Sequence, residues 1–157
     1  MRHLTRFAGI ACALALTSAT ASAQFSLQTL YAANNGGSSG GIVYFDITAA
    51  SPVLITAFDM SYDPSYAPTG QPVGLQVYTT PGTYVGNETN QAAWTQVGSD
   101  NGQATGAGII NTPTNIQLAQ PILMPAGTQG MALVALMAGH DYTNGNGSNQ
   151  TYSDNFL

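Results

Sequence analysis

Short runs in this chain alternate between apolar and polar residues with a period of two, separated by clusters of Gly, Asn, Thr, Ser and Pro. In "VGLQVYT", Val73, Leu75, Val77 and Thr79 fall on one face and Gly74, Gln76 and Tyr78 on the other, the pattern of a strand buried on one side. Val, Ile, Tyr and Phe dominate these runs, which favours strands over helices. The pattern predicts strands over Phe25–Ala32, Gly41–Ile47, Val53–Ser61, Val73–Thr79, Trp94–Val97, Asn115–Ala119, Met131–Ala138 and Thr151–Leu157. "MALVALMA" is apolar on both faces, which fits a central strand covered on both sides.

The connections carry turn residues: Asn35-Gly36, Asp63-Pro64, Pro81-Gly82, Asn101-Gly102, Pro125-Ala126-Gly127 and Asn144-Gly145-Asn146-Gly147. Short strands joined in this way predict an all-β chain folded as a two-sheet antiparallel β-sandwich with jelly-roll or Greek-key wiring. "NNGGSSGG" reads as a long loop, and nothing marks a second domain.

The first residues form a separate unit. Arg2 and Arg6 precede the apolar stretch "FAGIACALAL", and Ala21-Ser22-Ala23 has the small-x-small form of a cleavage site. This is the pattern of a secretory signal peptide over residues 1–23, too short in its apolar part to span a bilayer. The domain expected after cleavage covers residues 24–157, lacks cysteine because Cys12 lies in the leader, and contains no apolar stretch of transmembrane length. A secreted location, extracellular or at the cell surface, follows as an expectation.

Charge narrows the partners. Both basic residues belong to the leader, so seven acids face no lysine or arginine in the remainder. Phosphate neutralisation requires Lys or Arg, so nucleic acid is excluded as a partner. A glycan, a divalent cation or another protein remains compatible.

Five stretches in order resemble a family of secreted bacterial β-sandwich modules: "YAANNGGSSGGIVYFDITA", "ITAFDMS", "LQVYTTPGTYVGNETNQAAWTQVGS", "MPAGTQGMALVAL" and "DYTNGNGSNQTYSDNFL". The resemblance implies a surface-displayed module with no established activity and no catalytic residues to transfer. Such modules often sit in proteins with a C-terminal sorting signal. It also implies further strands beyond Leu157, so the chain reads as truncated at its C-terminus.

Candidate chemistry is sparse. Trp94, the only tryptophan, could form a glycan platform with Tyr84 and Tyr78, since sugars stack on exposed aromatic rings. The competing reading is a pin that holds the sandwich together. Gly-x-Ser-x-Gly occurs around Ser38 and Ser39, but it leads into a strand, whereas a nucleophile elbow leads into a helix. His140-Asp141 lacks the geometry of a base and its orienter, because neighbours in an extended segment point apart.

Asp141, Asn144, Asn146, Asn149 and Asp154 offer the oxygen ligands of a calcium loop, which EDTA would then destabilise. No EF-hand spacing fits them: placing Asn144, Asn146 and Gly147 at positions three, five and six puts Tyr142 first and Ser153 twelfth. Asp46 and Asp59 read as outward strand residues that discourage edge pairing. The expectation is a non-enzymatic structural or interaction module with a protein or glycan partner at the cell surface. The alternative is a carbohydrate-binding module, and a hydrolase is a remote third.

Overall fold

The computed structural model describes residues 25–29, 35–63, 65, 67–105, 113–148, 150–154 and 157; residues 1–24, where a signal peptide is expected, and Asn149 lie outside them. The strands are β1 (Asn35–Gly36), β2 (Ile42–Ala49), β3 (Val53–Met60), β4 (Pro72–Pro81), β5 (Thr95–Gln103), β6 (Thr114–Met124), β7 (Gly127–Leu136) and β8 (Asp141–Tyr142). A 3₁₀ turn, Gln91–Ala93, precedes β5. Among the described residues no helix is long and apolar enough to cross a membrane.

The pairing is nested. β1 pairs with β8, β2 with β7, β3 with β6 and β4 with β5, all antiparallel. This is one long two-stranded ribbon doubled over at the β4–β5 connection and rolled up, the wiring of a jelly roll. A second pairing of β4 with β7 completes a four-stranded sheet in the order β2-β7-β4-β5, and β3-β6 forms the opposing layer. The all-β sandwich expected from the alternation is therefore the observed architecture.

The core lies between the layers. Val73, Leu75 and Val77 of β4 meet Met131, Leu133 and Ala135 of β7 and Ile116, Ile122 and Met124 of β6. Burial of each large side chain contributes about 1.5–3 kcal/mol, and no disulfide is needed. On the β5 side the layers close tightly, because Gly98 and Gly102 leave room for the Ile122 and Ile116 side chains. The Asp100 carboxylate completes that seam by accepting the Ala119 amide at 3.1 Å. On the opposite side Phe45, Ile47, Val53, Ile55 and Phe58 are only half-buried against the core.

Several elements differ from the expected ones. β5 runs on through Asn101-Gly102, which reads as a turn, because the glycine is needed under Ile116. β6 continues past Pro121 because the register with β3 jumps from Ile55↔Ile122 to Ala57↔Gln117, and proline, with no N–H to contribute, fits in the bulge. The central strand expected at "MALVALMA" is β7, but it begins earlier, at Gly127. No strand forms at residues 25–29, nor at 151–154 or 157. Those ends instead flank a short pair not expected from the pattern: "NNGGSSGG", read as loop, contributes Asn35–Gly36 as β1 against β8.

Candidate functional site

Aromatic rings gather where the ribbon turns back. Phe45 and Ile47 of β2 face the core, so Tyr44 and Asp46 project from the outer face of the four-stranded sheet. The β4–β5 connection, residues 82–94, folds back onto that face. Tyr44 lies between two rings from this connection: Tyr84, stacked at 6.1 Å between centroids, and Trp94, tilted at 5.4 Å. Such pairs add about 0.5–1.5 kcal/mol beyond area burial.

The polar ends of Tyr44 and Trp94 are engaged by the connection itself. The Trp94 Nε1–H donates to the Asn87 carbonyl at 2.8 Å, and the Tyr44 hydroxyl donates to the Glu88 carbonyl at 3.0 Å. The Asp46 carboxylate accepts the Thr83 hydroxyl at 2.7 Å and the Tyr84 amide at 2.8 Å. Thr83 Oγ1 accepts the Val85 amide, and the Asn87 side chain donates to the Thr83 carbonyl. Gly130 of β7 supplies the landing surface: a Cβ there would lie 2.7 Å from the Tyr84 nitrogen and 2.7 Å from Thr80 Cγ2. The chain can lie this close to the sheet only where β7 carries no side chain.

Trp94 is thus a pin, but it does not join the two sheets. It is half-buried on the outer face and outside the inter-sheet core. Asp46 faces outward, as expected, and its carboxylate also clamps the connection. Asp59 is exposed and accepts the Asn115 side-chain amide across the β3-β6 pair.

Of the expected platform, the structure brings Tyr84 to Trp94 through Tyr44. Tyr78 lies in the same cross-strand row, Tyr44–Ala132–Tyr78–Gln96. Its hydroxyl is 3.3 Å from Gln76 Oε1 and 3.2 Å from Gln96 Oε1, which makes a second polar group of aromatic and amide side chains on that face. Tyr44 was missed because only trends along one strand are visible in sequence; its alternation with Phe45 and its neighbour Asp46 were the available signal.

Three of the expected calcium ligands accept hydrogen bonds, and Asn149 lies outside the described residues. Asn144 Oδ1 accepts Asn35 Nδ2, Asn146 Oδ1 accepts the Ser148 amide and hydroxyl, and Asp154 Oδ1 accepts the Leu157 amide. Asp141 stands near Asp63, and its carboxyl is held above the usual range by burial and by the Asp63 charge. Among the described residues no three of His, Cys, Asp or Glu converge on one point.

Ser38 and Ser39 are exposed in the turn before β2, and the Ser38 carbonyl accepts the Gly41 amide. His140 reads as a loop residue in sequence but is buried at 4% exposure. Its ring stacks on Tyr62, centroids 6.4 Å apart, and burial holds its pKa below the ordinary value.

The sequence matches no family model and no curated protein, and no solved structure matches.

Proposed function

We propose that this chain is a secreted, non-enzymatic β-sandwich module acting as a structural or interaction unit at a bacterial surface or in extracellular matrix. The observation that carries the reading is the connection at residues 82–94. Its aromatic rings and the Tyr44 and Trp94 polar heads are directed at the chain's own sheet and carbonyls, so they stabilise a fold whose sequence carries no Lys or Arg after residue 6. The leader-like first residues support secretion, and the acidic, lysine-free remainder favours a neutral or cationic partner.

A carbohydrate-binding module is the second reading, favoured by one arrangement. Tyr44, Tyr84, Trp94 and Tyr78 share a face with the amides of Gln76 and Gln96, the side-chain types that stack on and hydrogen-bond to sugars.

Retention on insoluble polysaccharides, measured together with urea unfolding for the wild type and Trp94→Ala, separates the two. The structural reading expects no retention and a lowered unfolding midpoint in the variant. Retention by the wild type that is lost in a stably folded variant would overturn it in favour of sugar binding.

A further inference from the structure

Four segments meet at His140, at one end of the sandwich. Its carbonyl accepts the Gly37 amide at 2.7 Å. Its Nε2 lies 3.1 Å from the Leu133 carbonyl of β7. It forms an antiparallel bridge with Tyr62 and stacks on that ring. Beside it the Asp63 amide donates to the Gly139 carbonyl at 2.9 Å, and the Asp141 amide to the Ser61 carbonyl at 3.0 Å. With the two-residue strands β1 and β8, these bonds fasten that end. A recess of about 340 Å³ at this end is lined by Gly37, Gly41, Ile42, Val43, His140 and Tyr142.

We propose that this end is a latch keyed to the protonation of His140, closed at neutral pH and opening locally, with both sheets intact, when its surroundings turn acidic.

The cost of a buried imidazolium drives the opening. Burial lowers the His140 pKa, while the Leu133 and Gly41 backbones pull it back up without restoring it. An open His140 titrates near 6.5. Below that value the open form binds the proton more readily, and each pH unit down to the closed-state value favours opening up to about tenfold.

Among the described residues, the other titratable groups of the segments that meet here are Tyr62, Asp63, Asp141 and Tyr142. A side chain on Gly36 would begin 3.2 Å from Asp141 Oδ1 and 3.3 Å from Asp63 Oδ2, so closing the latch brings these two carboxyls towards each other. Because Asp141 is held above its usual value, its protonation favours the closed form, and it opposes His140 in stronger acid. Opening is therefore greatest in mild acid. It stays local because few bonds hold β1 and β8, and a recess that His140 lines lies at this end.

Amide hydrogen exchange of the wild-type protein at pH 7.5 and 5.5, corrected for intrinsic rates, tests this. The amides of Gly37, Asp63 and Asp141 are expected to lose protection severalfold, up to about tenfold, while those of Val77 and Leu133 do not. A ring titration by NMR should give His140 a midpoint below 6.5, and in His140→Gln the latch protection should not respond to pH over this range. Latch protection that is unchanged in the wild type, a ring midpoint at or above 6.5, or equal losses at latch and core would overturn the proposal.

Discussion

The Tyr44 hydroxyl donates to the Glu88 carbonyl 3.0 Å away, across 44 positions of sequence. One residue earlier, the Asn87 carbonyl accepts the Trp94 indole. Two rings thus hold adjacent carbonyls of one connection against the outer face of the sheet, and stability measurements can read each fastening separately.

Asp46→Ala removes the acceptor for the Thr83 hydroxyl and the Tyr84 amide. The two charge-assisted bonds, made at an exposed position, support a loss of about 1–2 kcal/mol, measured by urea denaturation. Tyr44→Phe, which loses a single neutral bond, should cost about 0.5–1 kcal/mol.

Gly130→Ala places a methyl where the Tyr84 backbone lies. Overpacking of this kind costs about 1–3 kcal/mol, and here the connection must lift from β7. Proteolysis should therefore cut residues 82–94 faster in this variant than in the wild type.

Tyr62 is buried, and its hydroxyl donates to the Gly74 carbonyl at 2.7 Å. Burial pushes its pKa up to about 12. Above pH 10 the unfolded chain loses this proton while the folded chain keeps it, so the contribution is complete below pH 10 and declines through pH 12. Tyr62→Phe should be less stable at pH 7 by about 1–2 kcal/mol, and the gap should narrow on titration from pH 10 towards 12.

Met137 adopts a left-handed backbone conformation, φ 70°, while 53% exposed. That region costs a non-glycine residue about 1–2 kcal/mol, and asparagine tolerates it better. Met137→Asn is expected to raise the melting temperature by a few degrees.

An unchanged melting temperature in EDTA would remove the calcium reading of Asp141, Asn144, Asn146, Asn149 and Asp154. A fall of several degrees in EDTA, reversed by calcium, would show that the loop holds a cation.

The strands that alternate cleanly, β2, β3 and β4, were legible because one face of each meets the core. β5 was legible only at its start, since Gly98 and Gly102 serve close packing against Ile122 and Ile116, a demand that arises only once two layers meet. Pro121 hid the second half of β6 because the bulge that accommodates it depends on the partner strand. At the candidate site, Trp94 and Tyr84 could be named from their short stretch, whereas Tyr44, Asp46 and Gly130 join them only through the fold. His140 looked like a loop residue because its burial comes from Tyr62, far away in sequence.

Because Trp94 is the only tryptophan, its indole N–H gives a single resolved signal in a proton–nitrogen spectrum, and its exchange with deuterated water reads the pin directly. If the indole holds the connection to the sheet through Asn87, the signal should exchange far more slowly than a free indole and lose protection in urea together with the core amides of β4 and β7. Exchange at the rate of a free indole, with the core amides still protected, would contradict the pin and leave Trp94 available for a ligand.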